Sequence, residues 1–121
     1  MLLVFALLAV TYGYFLQNEY SYNVVCRAGL TANIVQHGRV DIDDYEHLTE
    51  DKSVRNGVFY CDKAPGMSFL AAPAAFLFTA IMPVDGGTPD EGSRWPIFLY
   101  LLTLTTSVIW SAFAGMALAP S

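Results

Sequence analysis

Lys63 is the residue whose position best suits a chemical role, because it stands just before an apolar stretch and is followed by Ala64, Pro65 and Gly66. An ammonium group near a helix start, where backbone N–H groups have no partner, can bind a phosphate. The alternative is a lysine that extends its charge to a membrane surface and pairs with Asp62. Because a single lysine does not define a site, the pattern alone favours this alternative.

A cluster of carboxylates lies upstream of Lys63 in the same polar region. Such a cluster can supply a general base or hold a divalent cation through oxygen ligands. Its spacing matches neither an EF-hand nor a His-x-x-x-His pair, so a solvated loop is favoured and we expect no metal and no other cofactor. Glu19 is a further candidate base, and its alternative is simple solvation. The cluster comprises Asp41, Asp43, Asp44 and Glu46, with His37 and His47 nearby.

The composition indicates a membrane protein, in which apolar helices position the polar connection that carries these residues. Of 121 residues, 55% are hydrophobic and 14% are charged, whereas about 25% are charged in an ordinary soluble domain. No charged residue occurs before Gln17 or after Arg94. The formal net charge is -5 and the sequence has no basic patch, which argues against nucleic acid as a partner.

Three apolar stretches predict an all-α integral membrane protein with about three transmembrane helices, at 1–17, 67–84 and 96–119. The third is long enough to span a bilayer with some tilt. The first is slightly shorter than the roughly 20 residues that a span needs. A cleavable signal peptide is its competing interpretation, but the stretch lacks a positively charged start. The short, turn-rich connection 85–95 makes the second and third helices antiparallel neighbours.

The polar connection 18–66 is expected to have structure of its own, because unstructured loops of this length are uncommon. Apolar residues at three-and-four spacing predict a surface-lying helix over 23–37, with Gly38 as its stop. A second, short helix is predicted over 49–55, with a threonine as its N-cap. Residues 57–60 then suit a turn and a short extended segment.

Cys26 and Cys61 both lie in this connection. In an oxidising compartment they can pair, but the alternative of two semi-buried thiols requires no such compartment. Their spacing matches no zinc-binding pattern. We therefore expect two free thiols.

An ordered set of residues in the 18–66 connection and the next helix has a spacing that is specific as a whole, although no single motif in it is. The set consists of Asn23, Arg27, Leu30, Thr31, Ile34, Val35, His37, Gly38, Ile42, Asp43, Tyr45, Thr49, Asp51, Lys52, Gly57, Phe59, Tyr60, Asp62, Lys63, Ala64, Pro65, Gly66, Ser68, Leu70, Ala71 and Pro73. It resembles the N-terminal part of a bacterial GT-C glycosyltransferase of the dolichyl-phosphate-mannose-protein mannosyltransferase type, related to the aminoarabinose transferases that modify lipid A.

The resemblance implies an enzyme that transfers a sugar from a polyprenyl-phosphate-linked donor to a protein, lipid or glycan acceptor. It also implies a bacterial inner-membrane location with the 18–66 loop on the extracytoplasmic side. The basic residues of the loop would favour the cytoplasm by the positive-inside rule, and we follow the resemblance. It assigns Lys63 and Arg27 to the donor phosphate, and Asn23, Asp62 and Tyr60 to substrate positioning.

One departure from the family concerns the catalytic base. Relatives carry an acidic residue at the position of Asn23, and an asparagine cannot take a proton. One of Glu19, Asp41 or Asp43 is therefore expected to act as the base. Relatives also have about a dozen spans, so the chain is expected to be a fragment that can be inactive alone. The alternative function is a non-catalytic membrane subunit or transporter fragment with Lys63 as an anchor.

Overall fold

The computed structural model describes residues 2–14, 21–84 and 94–118, which form helices and one small β-hairpin. The strands β1 (Lys52–Arg55) and β2 (Val58–Cys61) pair antiparallel. A 3-10 helix at Asp43–Leu48 precedes them, and a π-helical segment at Leu104–Val108 joins the last two helices. The α-helices are α1 (Leu2–Tyr14), α2 (Tyr22–His37), α3 (Gly66–Ile81), α4 (Trp95–Thr103) and α5 (Ile109–Leu118).

The prediction of an all-α fold with about three membrane-spanning helices is wrong. Among the described residues, one helix is long and apolar enough to cross a membrane: the continuous run of α4, the π segment and α5, Trp95–Leu118, with 24 residues. α1 has 13 residues and α3 has 16. At a rise of about 1.5 Å per residue they extend about 20 and 24 Å, less than the roughly 30 Å of a bilayer core. The apolar sequence of the second stretch continues past its helix, because α3 ends at Ile81, shortly before Pro83, which cannot extend it.

The predicted helix over 23–37 is confirmed as α2, which starts one residue earlier. The Ser21 side chain accepts a hydrogen bond from the N–H of Val24 and caps its start. Gly38 ends it with a φ of 66°, a left-handed conformation that glycine adopts without a steric penalty. Both ends of α2 are therefore set by residues that are local in sequence.

The core lies where α2, α3 and α4 meet. Small residues on α2 and α3 bring the two backbones together, and aromatic residues fill the space beside them. The rings of Tyr45 and Trp95 stack with their centroids 4.9 Å apart, and Phe98 lies 5.7 Å from Trp95. The buried core residues are Val25, Ala28, Ala32, Tyr45, Ala71, Ala75, Val84, Trp95, Phe98, Leu99 and Leu102.

The predicted second helix over 49–55 is wrong, because the chain is extended there. Thr49 uses its hydroxyl to donate to the carbonyl of Tyr22 at 2.8 Å, and so ties the loop to the start of α2. Asn56 and Gly57 both have positive φ, at 54° and 79°, which makes a tight hairpin turn. β1, the strand before this turn, pairs with β2. This pairing outweighs the helix that the N-cap signal at Thr49 predicts. The predicted turn and extended segment over 57–60 are confirmed.

The prediction of two free thiols is also wrong. Cys26 of α2 and Cys61 of β2 form a disulfide with their Cα atoms 5.4 Å apart. The hairpin turn reverses the chain and returns the end of β2 to α2, a long-range approach that the spacing of the cysteines did not indicate. The disulfide fixes the hairpin on the helix.

Replacing Cys26 and Cys61 together by alanine is expected to lower the free energy of unfolding by about 4 kcal/mol, because the disulfide closes a loop with a sequence separation of 35. Chemical denaturation in detergent without reductant measures the loss. Wild-type protein with reductant should unfold like the double variant. Equal stability of the oxidised wild type and the variant would show that the disulfide contributes nothing.

Gly29→Ala is expected to lower the free energy of unfolding by about 1–3 kcal/mol. A Cβ at Gly29 would lie 2.8 Å from the Cβ of Tyr45, so the 3-10 helix would have to move away from α2. Gly66→Ala is the matched control, because a Cβ there meets nothing within 4 Å. Denaturation midpoints of the two variants measure the difference, and equal midpoints would contradict the close contact.

Candidate functional site

Lys63 is held by two carboxylates. Its Nζ lies 3.1 Å from Oδ1 of Asp62 and 3.6 Å from Oδ2 of Asp51. The hydrogen bond with Asp62 raises the pKa of Lys63 above its ordinary value of 10.5, and the charge of Asp51 also raises it. The positive charge is thus balanced within the loop, as in the alternative of a paired lysine. The assignment of Lys63 to a donor phosphate stays a prediction.

Asp41, a candidate base, makes local contacts. The side-chain amide of Asn33 donates to its backbone carbonyl at 3.0 Å and to its Oδ1 at 3.4 Å. Arg39 lies 3.6 Å from the same Oδ1 and also pairs with Asp44. These contacts fix the chain between α2 and the 3-10 helix.

Asp43, the next candidate, joins the 3-10 helix to the hairpin. Its Oδ1 accepts a hydrogen bond of 2.7 Å from the N–H of Phe59. Within residues 21–84, no hydrogen bond or ion pair joins Asp41 or Asp43 to Lys63. Glu19, the third candidate base, lies outside the described residues, so the choice of base stays a prediction.

Besides Asp62, two residues are predicted to position the substrate, Asn23 and Tyr60, and they lie on different elements. Asn23 is half-buried in the first turn of α2, four residues before Arg27. Tyr60, on β2, lines an open depression of the hairpin with Ser53 and Arg55. The structure therefore does not gather all of the predicted site residues in one pocket.

Arg27 lines a cavity of about 130 Å³ between α2, α3 and the helix Trp95–Leu118, which we call the Arg27 cavity. Its Nε is buried and makes no hydrogen bond. No described carboxylate forms an ion pair with it, and no other charged residue lines the cavity. Arg27 is therefore a cation without a partner in the part of the chain that the structure describes.

The backbone of Arg27 is held by its neighbours. Its carbonyl accepts hydrogen bonds from Oγ1 of Thr31 at 2.7 Å and from Oγ of Ser68 at 2.9 Å. The second bond crosses from α3 to α2. The preceding residue, Cys26, is joined by the disulfide to Cys61. These three contacts fix the backbone position from which the Arg27 side chain extends.

The π-helical segment Leu104–Val108 contributes to the wall of the cavity. A π turn disturbs the regular backbone hydrogen bonds, and threonine hydroxyls supply partners here. Thr106 donates to the carbonyl of Leu102 at 2.7 Å, and Thr105 donates to that of Leu101 at 2.8 Å. Single π turns within helices occur frequently at functional sites.

The cavity suits an anion that carries an apolar chain. A buried guanidinium nitrogen without a hydrogen-bond partner, as Nε of Arg27 is, is unfavourable, and an anion that reached it would relieve that cost. The planar donors of Arg27 match the oxygens of a phosphate or a carboxylate. The apolar side chains in the wall, among them Met67, Leu99 and Leu102, offer a surface for hydrocarbon.

Sequence reasoning singled out Arg27 but missed the hydroxyl residues beside it. Thr31 and Ser68 occur in the sequence analysis only within the set that carries the family resemblance. The run Thr103-Leu104-Thr105-Thr106-Ser107 interrupts an otherwise apolar stretch. Polar residues inside an apolar helix usually face protein or a cavity, and this signal could have placed the run in a site.

Comparisons with protein-family models, with curated proteins and with solved structures found no match for this chain. The resemblance to mannosyltransferases therefore stays a prediction made from the sequence. The chemistry of the site has to be argued from the Arg27 cavity itself.

Asp62→Asn is expected to lower the pKa of Lys63 more than Asp51→Asn does, because the hydrogen bond with Asp62 is the largest cause of the raised value. NMR titration of the Lys63 side chain measures both changes. Since folding raises this pKa, the pair stabilises the fold below pH 10.5 and the contribution is lost as the pH rises through the folded-state pKa. If Asp51→Asn lowered the pKa of Lys63 more than Asp62→Asn did, Asp51 and not Asp62 would be the main cause of the raised pKa.

Proposed function

We propose that the chain binds a polyprenyl-phosphate-linked sugar at the Arg27 cavity and forms the donor-binding part of a membrane glycosyltransferase. The observation that carries the proposal is the buried Nε of Arg27, which has no hydrogen-bond partner. A phosphate in the cavity would supply charge-assisted hydrogen bonds to that group. Arg27 thus takes the role that the sequence resemblance divides between Arg27 and Lys63.

Apolar surface near the cavity supports a lipid-linked ligand. The helix Trp95–Leu118, which lines the cavity, is long and apolar enough to cross a membrane. On α3, Phe69 and Leu70 are exposed by 56% and 48% of their surface. Exposed apolar side chains next to the cavity are available for contact with lipid. A polyprenyl chain can lie along them while its phosphate reaches Arg27.

The disulfide supports an extracytoplasmic position for α2 and the hairpin. Disulfides persist in oxidising compartments and are rare in the cytosol. The Cys26–Cys61 pair therefore agrees with the placement that the resemblance implies, on the outer side of a bacterial inner membrane. It opposes the orientation that a count of basic residues would give.

In the proposed reaction an acceptor oxygen attacks the anomeric carbon of the sugar, and the bond between that carbon and the phosphate oxygen breaks. The acceptor proton goes to a carboxylate base, for which Glu19, Asp41 and Asp43 are the candidates. Polyprenyl phosphate leaves with the electron pair and the negative charge. Arg27 stabilises that charge as it develops.

Binding without sugar transfer is the second candidate function. It is favoured by the contacts of Asp41 and Asp43, which accept hydrogen bonds from Asn33 and from the N–H of Phe59. A carboxylate held in this way is less available to accept a proton. This candidate shares the ligand site with the first, and a sugar-transfer assay separates the two.

Arg27→Gln is expected to weaken binding of polyprenyl-phosphate mannose by about 10- to 100-fold, because hydrogen bonds to charged groups contribute about 1.5–3 kcal/mol. Binding to the full chain in detergent micelles is measured by calorimetry. Arg27→Lys should retain part of the affinity. Circular dichroism of each variant checks that the fold is intact.

Lys63→Gln is the matched control, because it removes a cation that is already paired with Asp62. We expect its affinity to stay within about twofold of wild type, as for a rim charge screened by solvent. If Lys63→Gln loses binding while Arg27→Gln does not, the phosphate site lies at Lys63 and the proposal is wrong.

A further inference from the structure

We infer that Thr103 and Thr106 accept hydrogen bonds from the sugar hydroxyls of the ligand, and that they favour the sugar-loaded lipid over free polyprenyl phosphate. The inference deepens the proposed function and rests on it. It depends on the hydrogen-bonding state of the hydroxyl groups in the wall of the Arg27 cavity.

Four of the hydroxyl groups that line the cavity already donate their single proton to backbone carbonyls. Thr31 and Ser68 both donate to Arg27, at 2.7 and 2.9 Å. Thr103 donates to Leu99 at 2.9 Å, and Thr106 donates to Leu102 at 2.7 Å. A hydroxyl has one proton and two lone pairs, so each of these groups can only accept hydrogen bonds from a ligand.

The four groups differ in whether a ligand can reach them. Thr31 and Ser68 are each exposed by only 1% of their surface, and their role is to hold the carbonyl of Arg27. Thr103 and Thr106 are partly exposed and line the cavity. The acceptors available to a ligand are therefore the two threonines of the Trp95–Leu118 helix.

The donors of the cavity are the guanidinium of Arg27 and the hydroxyl of Ser107. Ser107 is exposed, and no hydrogen bond from its side chain occurs in the described part of the chain. The cavity thus combines donors that suit the oxygens of a phosphate with acceptors that suit hydroxyl groups. A sugar attached to a phosphate carries both kinds of group, whereas free polyprenyl phosphate offers mainly acceptors.

The charge of the ligand opposes this preference for the sugar-loaded lipid. Loss of the sugar leaves a phosphate with a second ionisable oxygen, which strengthens its attraction to Arg27. The ratio of the two affinities therefore contains a charge contribution that the threonines do not change. A site that hydrogen-bonds a hydroxyl group discriminates against a ligand that lacks it. Removal of a threonine hydroxyl should therefore change the hydrogen-bond contribution to the affinity ratio and leave the charge contribution unchanged.

The test compares farnesyl-phosphate mannose with farnesyl phosphate, bound to the full chain in detergent micelles. Thr103→Val and Thr106→Val are each expected to weaken binding of the mannose-bearing lipid about 3- to 10-fold, the loss of one hydrogen bond. Binding of farnesyl phosphate should stay within about twofold of wild type. Thr106→Ser keeps the hydroxyl and should keep the wild-type ratio.

Thr105→Val is the matched control, because it lies in the same π segment and also donates to backbone carbonyls, at 2.8 and 3.1 Å. Thr105 is absent from the lining of the cavity. We expect its substitution to leave the ratio of the two affinities unchanged. If Thr105→Val and Thr106→Val change the ratio by the same amount, the change comes from disturbance of the helix and not from a lost contact to the ligand.

The outcomes separate the inference from the proposed function. If Thr103→Val and Thr106→Val weaken both lipids equally, or no more than Thr105→Val does, the inference is wrong and the phosphate site at Arg27 stands. If wild-type protein binds neither lipid, the proposed function and the inference both fail. If the valine variants do not fold, Thr106→Ala compared with Thr106→Ser gives the same contrast.

Discussion

The contact between α2 and α3 is the interaction on which both the core and the Arg27 cavity depend. Alanines at Ala28 and Ala71 are almost fully buried where the helices approach, and Ser68 of α3 donates to the carbonyl of Arg27 across that contact. The Cys26 disulfide holds α2 from its other side. If α2 moved away from α3, the carbonyl of Arg27 would lose a partner and the cavity would open.

Three of the six lysines and arginines, all of which the structure describes, form ion pairs within the 18–66 connection: Arg39 with Asp44, Lys52 with Glu46 and Lys63 with Asp62. Pairs of this kind, partly open to solvent, contribute little to stability, and they leave little positive charge for a ligand. Arg27 differs because it lines a cavity between helices whose wall contains hydroxyl groups but no other charged residue, and a buried Nε without a hydrogen-bond partner is costly there.

The helix Trp95–Leu118 is both a candidate membrane span and part of the wall of the Arg27 cavity. Its composition and length suit a bilayer, yet its π segment carries hydroxyl groups that line the Arg27 cavity. Hydroxyl groups within hydrocarbon need hydrogen-bond partners, and the carbonyl of Leu102 supplies one to Thr106. A hydroxyl oxygen that donates its proton in this way keeps lone pairs that can accept hydrogen bonds.

The sequence by itself determined those features that depend on neighbouring residues. The span of α2 follows from its apolar spacing, from the helix-ending Gly38 and from the capping Ser21, and the apolar run after Trp95 predicts the long helix. The resemblance of the surrounding motifs also predicts Arg27 as a phosphate ligand, and this assignment stays a prediction. Each of these features rests on local spacing, which a sequence displays directly.

The tertiary structure decided what depends on residues that are distant in the chain. Hairpin pairing made β1 a strand where an N-cap signal predicted a helix, and it brought Cys61 to Cys26. Apolar composition predicted three spans. An apolar stretch can be longer than the helix that forms within it, and among the described helices only Trp95–Leu118 is long enough to cross a membrane. Lys63 is paired, whereas Arg27 has no ion-pair partner among the described residues. That difference depends on which side chains the fold brings within a few ångströms, and the spacing along the sequence does not contain that distance.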